Sequence, residues 1–188
     1  MKHLNTLNIT VIALAAVINV VGGQLALVLK LPIYLDMMGT LLVALLLGPI
    51  YGMIPGLISG ILLGVTMDVY ALYFLPVQLI TGFVAGCMFK TKWMTRGRGL
   101  LGTWAITLPG TLVSATIAAF LFGGFTSSGS SVIVLLLRNL GFHEIASVFM
   151  VQVVTDYLDR IISITLVFFL VKALPNTLVK KIKAPICQ

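Results

Sequence analysis

The stretch 37-MMGTLLVALLLGPIYGMIPGLISGILLGV-65 decides the fold, because the orientation of everything after it depends on whether it crosses a membrane once or twice. It holds no charged residue, and Gly48-Pro49 interrupts it near its middle. A single crossing would bring the basic loop 90–98 out on the face opposite Lys2 and split the cations between the two sides. Two crossings that turn at Gly48-Pro49 gather Lys2, Lys90, Lys92, Arg96, Arg98, Lys172, Lys180, Lys181 and Lys183 on one face. The positive-inside rule makes that face cytoplasmic. Asp36, Asp68, Glu144, Asp156 and Asp159 then fall in or beside the outer loops and outer helix ends.

Outward from this stretch, apolar runs at 7–29, 37–47, 50–65, 75–89, 100–122 and 147–170 predict an all-α integral membrane protein. The expected architecture is one domain, 1–188, a compact bundle of six transmembrane helices with both termini cytoplasmic. The run 37–47 falls short of the about 20 residues a crossing needs, so it requires tilt, local thinning or helical flanks. A re-entrant hairpin over 37–65 keeps the same parity. The run 7–29 exceeds the apolar core of a signal peptide, about 7 to 15 residues, and reads as a retained helix.

Composition agrees. Of 188 residues, 60% are hydrophobic and 9% charged, against about 25% charged in soluble domains. The net charge of +7 sits at the ends of apolar runs without interleaved aromatics, so it orients the chain and does not bind nucleic acid. Cys87 and Cys187 have no ligand or disulfide spacing.

Gly48, Gly52, Gly56, Gly60 and Gly64 recur every fourth residue through the third run. Each interior glycine costs a helix about 1 kcal/mol relative to alanine, so the row requires close backbone approach, either within the chain or to another subunit. Pro55 removes a donor inside the same helix and should bend it. Ala13, Ala15, Ala16 and Asn19, near the cytoplasmic end of the first helix, form a second small-residue face.

Polar side chains at membrane depth are expensive and face a cavity or a partner. Gln152, Asp156, Asp159 and Ser163 share one face of the last helix, and Arg160, one turn on, can pair with Asp156. Thr103, Thr107, Gly110 and Ser114 make a matching row on the fifth, and Gln78 and Thr81 lie on the fourth. These faces predict either a structural ion pair or an outward-opening ligand cavity lined by Gln78, Thr107, Ser114, Gln152, Asp156, Asp159 and Arg160. Segments 30–36, 66–74 and 123–144 would close it, the last as a glycine- and serine-rich lid bearing Asn139. Tyr70 and Tyr73 could stack on a flat ring or anchor the interface.

Several chemistries find no support. The match of residues 97–102 to G-x-G-x-x-G follows no strand, and Asn8-Ile9-Thr10 is a sequon at the inner face. No phosphate-binding G-x-x-x-x-G-K-[ST] loop occurs, and His3 and His143 have no metal spacing. The chain therefore carries no ATPase site, and no catalytic residue, metal or cofactor is expected. The enzyme alternative is a lipid-modifying activity at Asp156 and Asp159, which lacks converging partners.

A short basic N-terminus, small residues in the first helix, PIYLDMMGTLLVALLLGPIYG across the second and third, and TDYLDRIISITLVFFLVKALP at the end resemble the S component of energy-coupling factor (ECF) vitamin transporters. The resemblance covers about the whole chain. It implies a multi-pass subunit of a prokaryotic plasma membrane that captures a vitamin from outside through helices four to six. Its partners would be a transmembrane coupling subunit and two cytoplasmic ATPases. Docking would use Ala13, Ala15, Ala16 and Asn19, although the family's Ala-x-x-x-Ala motif has no clean copy here. PIYLDMMGT and GPIYG are similar to a subgroup for cobalamin or pyridoxine-type vitamins, so cobalamin is the expected substrate; pyridoxine, pantothenate or another small vitamin is the alternative.

Overall fold

The computed structural model describes residues 5–94 and 98–183; Lys2, His3, Arg96, Gly97 and Cys187 lie outside them. Nine α-helices and one 3-10 turn, Lys92–Met94, account for most of the described chain, with no strand among those residues. They are α1 Thr6–Val28, α2 Met38–Leu47, α3 Pro49–Thr66, α4 Tyr70–Tyr73, α5 Leu75–Met88, α6 Gly99–Phe122, α7 Ser130–Asn139, α8 Glu144–Ala173 and α9 Asn176–Lys183.

α1, α3 and α6 are long and apolar enough to cross a membrane. α8 with α9 makes a fourth candidate, bent by 112° at the break between them. The side chains that α1 turns away from the bundle, among them Leu14, Val17, Val21 and Leu25, are more than half exposed. Such apolar stripes on long helices are covered by lipid, not by water. The architecture is that of an all-α membrane protein.

α2 departs most from a simple crossing. Its 10 residues span about 15 Å, half a hydrocarbon core. It is nonetheless the centre of the bundle, packed by α1, α3, α5, α8 and α9, with Leu41, Val43 and Ala44 almost completely buried. A helix wrapped by protein is hydrophobic all round, which is why this run shows no polar face. At its far end Gly48 adopts a positive φ of 92°, and Pro49 starts α3 as its first residue, where the missing N–H costs nothing.

The glycine row of α3 is used up within the chain. A Cβ on Gly52 would lie 2.7 Å from that of Ala44, one on Gly56 2.8 Å from Gln78 Oε1, and one on Gly64 2.3 Å from Leu72 Cγ. The row therefore lets α2, α4 and α5 approach, and α3 continues through Pro55.

Residues 123–144, expected as an outer lid segment, contain α7, and α9 was not expected. α9 packs Leu178, Val179 and Ile182 against the core while Lys180 and Lys181 stay exposed. The bundle has a basic end, with the α2–α3 turn, Lys90, Arg98, Lys172 and α9, and an opposite end formed by segments 29–37, 67–74 and 123–143, which carry Asp36 and Asp68 with Lys30 and Arg138.

Candidate functional site

A cleft with a free volume of about 90 Å³, opening to the outside, lies at the end opposite the basic one. Gln78 of α5, Ser114 of α6, and Asp156 and Arg160 of α8 contribute its polar lining, beside Ala26 of α1 and Leu63 of α3. The rest comes from the loops: Tyr34 and Asp36 between α1 and α2, Asp68, Tyr70 and Phe74 around α4, and Thr126 to Ser128 before α7.

The loop 29–37 is pulled into the bundle by α8. Asp159 Oδ1 accepts the N–H groups of Leu35 at 2.8 Å and Tyr34 at 3.3 Å, and its other oxygen holds Arg160. Leu35 takes a left-handed φ of 52°, uncommon for a bulky residue and sustained only where surroundings fix it. Its carbonyl presses on Gly22 so closely that a Cβ there would come within 2.2 Å of the oxygen. From this anchor Tyr34 reaches the lid segment, where its hydroxyl accepts from Ser128 at 3.2 Å and lies 3.4 Å from Ser130 Oγ.

Asp36 accepts from Gln78 Nε2 at 2.6 Å. Burial pushes its carboxyl up to about 7, and repulsion from Asp159 adds to the effect. Asp156 accepts from Thr111 Oγ1 and Ser114 Oγ, each at 2.9 Å. Gln78 and Arg160 are only 4% and 5% exposed, yet Gln78 Oε1 and Arg160 Nε have no hydrogen-bond partner. Unmade bonds at buried groups cost about 1–3 kcal/mol each; neither atom is open to the cleft, and Gln78 Oε1 faces Gly56 of α3.

Of the residues expected to bind ligand, Tyr70, Gln78, Ser114, Asp156 and Arg160 come together in the cleft wall. Gln152 is buried beside the Tyr34 hydroxyl. Asp159 is fully buried and ties down the loop behind the wall. Thr107 donates to Thr103 O of its own helix at 2.8 Å. Tyr73 packs edge-on against Phe122, and Asn139 is exposed at the end of α7; neither lines the cleft.

Two expectations need correction. Arg160 pairs with Asp159, not Asp156, because Asp156 turns toward α6. Ala15, Ala16 and Asn19 are buried inside the chain, since a Cβ on Gly39 would stand 1.9 Å from Ala15 O and α2 occupies that face. Only Ala13 of the four expected docking residues is exposed.

Tyr34, Phe74, Thr111 and Ser128 were not singled out from the sequence. Tyr34 and Asp36 flank the strained Leu35 within PIYLD, and no periodicity marks an irregular loop as folded inward. No protein-family model, curated protein or solved structure matches this chain.

Proposed function

We propose that this chain is the solute-capture subunit of an ECF-type vitamin importer, a multi-pass protein of a prokaryotic plasma membrane with six crossings and cytoplasmic termini. The crossings are α1, α2, α3, α5, α6 and α8; α2 needs no full length because protein surrounds it. The observation that carries the reading is the cleft at the end opposite the basic one, walled by three loops and lined by the polar side chains of Gln78, Ser114, Asp156 and Arg160 from three helices.

The sequence holds no phosphate-binding loop, so energy comes from partners: a coupling subunit and two cytoplasmic ATPases. The lipid-facing side of α1 around Ala13 is the docking face left by the burial of Ala15, Ala16 and Asn19. The free volume of about 90 Å³ is below the roughly 300–1,000 Å³ of ligand pockets, so a vitamin as small as pyridoxine, and cobalamin still more, requires segments 29–37 and 123–129 to part.

Calorimetric titration of the purified chain in detergent with cobalamin, pyridoxine, pantothenate, riboflavin, thiamine, folate and biotin tests the reading. Saturable binding of one compound, weakened by Tyr70→Ala in the cleft wall, supports capture. Silence across the panel removes it.

A further inference from the structure

Charge around the cleft does not balance. Asp36, Asp68 and Asp156 line it against one guanidinium, that of Arg160, and Arg160 is held by Asp159, which stands behind the wall. Among the described residues the close ion pairs are Arg160 with Asp159 and Arg138 with Glu144; Arg160 also faces Asp36 and Asp156 from longer range, so around the cleft one guanidinium stands among four carboxyl groups. The three that line it are oriented by neutral donors: Thr111 and Ser114 on Asp156, Gln78 on Asp36, Ser127 on Asp68. Hydroxyls and amides fix a carboxyl group in place, and a cation beside it would favour the charged form that burial opposes at Asp36.

Two further features bear on what such a site takes. Tyr34, Tyr70 and Phe74 stand in the same wall, and Phe122 braces two of them, with ring centroids 4.7 Å from Tyr70 and 6.4 Å from Phe74. Ring faces attract cations through their quadrupole, most strongly where water is excluded. Gln78 lines the same wall with its amide nitrogen committed to Asp36 and its Oε1 turned toward Gly56, which leaves the carboxyl oxygens as the acceptors. Aromatic faces and an excess of carboxyl groups on one wall have a common complement, a flat group that carries positive charge and N–H donors. An inorganic cation fits less well, because no three His, Cys, Asp or Glu side chains among the described residues gather as a metal-holding group.

We propose that the cleft binds a compact organic cation, a charged or protonated nitrogen heterocycle seated between the Tyr70 and Phe74 rings and the Asp36 and Asp156 carboxylates, and that it rejects vitamins bearing a carboxylate. This rests on the capture reading and narrows its substrate class.

The test is titration of the detergent-purified full chain with thiamine and pyridoxamine as cations, riboflavin as a neutral ring, and pantothenate and biotin as anions. Binding by a cation, at least about tenfold tighter than by either anion, is expected from one charge-assisted hydrogen bond. Asp156→Asn, and separately Asp68→Asn at the half-buried rim, should each weaken that cation's binding by a larger factor than riboflavin's. The rim variant keeps the test readable if Asp156→Asn fails to fold. Tighter binding of pantothenate, biotin or riboflavin than of either cation overturns the charge inference and leaves capture standing. Cation binding unchanged in both variants also overturns it; silence from both cations while another vitamin of the wider panel binds overturns it and leaves capture standing, and silence across the whole panel removes both.

Discussion

Asp159 on α8 accepts the backbone N–H of Leu35 at 2.8 Å across 124 residues of sequence. That one bond sets the shape of the cleft, because the loop it holds carries both Tyr34 and Asp36 into the wall. It also couples the loop to charge, since the same carboxylate neutralises the buried Arg160. Asp159→Ala leaves a buried guanidinium without its counter-ion and is expected to cost about 3–5 kcal/mol. Asp159→Asn keeps an acceptor for the loop but removes the charge, so its loss should be smaller. Thermal unfolding in detergent checks both; equal losses would mean that the loop hydrogen bonds contribute nothing.

Asn19 fastens three helices at one point. Its Oδ1 accepts from Gly39 N at 2.7 Å, and its Nδ2 donates to Thr40 Oγ1 at 2.9 Å and Ser59 Oγ at 3.3 Å. α2 has no side-chain cap of its own, so Asn19 caps it from α1, satisfying an N–H that the first turn leaves free. Asn19→Ala should destabilise the bundle by about 1–3 kcal/mol, as expected for orphaning a buried group. A lowered Tm in detergent, with the variant still monodisperse, is the expected result; an unchanged Tm would remove Asn19 from the account of why α2 is central.

The α1–α2 contact gives a sharper steric test. A Cβ on Gly39 would stand 1.9 Å from the carbonyl oxygen of Ala15, backbone against backbone, whereas one on Gly99 would meet nothing within 4 Å. Gly39→Ala is therefore expected to lower stability by about 1–3 kcal/mol, the usual cost of overpacking, and Gly99→Ala to be neutral or slightly stabilising. Measuring both by the same detergent melt separates packing from helix propensity, since propensity alone favours alanine in each.

The helices were legible because lipid imposes a coarse code: long apolar runs, punctuated by Gly48-Pro49 and by basic loops, mark most elements to within a few residues. α7 escaped because SSVIVLLLRN follows a glycine- and serine-rich segment and is too short to span. The site was only half legible. Asp156, Ser114 and Gln78 showed themselves by helical spacing, which places residues three and four apart on one face. Arg160 was assigned the wrong partner because spacing gives adjacency along a helix and cannot show that a loop from 29–37 supplies donors to Asp159. Asn19 was taken for a docking residue because a small-residue stripe looks the same whether a neighbouring helix or another subunit covers it.

Asp36 gives the chain a pH signature. Its carboxyl is raised to about 7 from an ordinary 3.8, so between those values the folded state holds a proton that the unfolded state has released. Stability then falls as pH rises through that window and is level above it, because ionisation in the fold is what burial opposes. The groups that face Asp36 are Asp159, Asp156 and Arg160, with Gln78 donating to its Oδ2; the three charged groups contribute pH terms of their own. Asp36→Asn isolates the effect, since the amide is neutral throughout and does not titrate. Relative to the variant, the parent protein should lose Tm steadily from about pH 4 to about pH 7 and run parallel to it from pH 7 to pH 8. Parallel curves across the whole range would mean that Asp36 titrates as an ordinary exposed carboxylate and that the cleft wall around it is open to water.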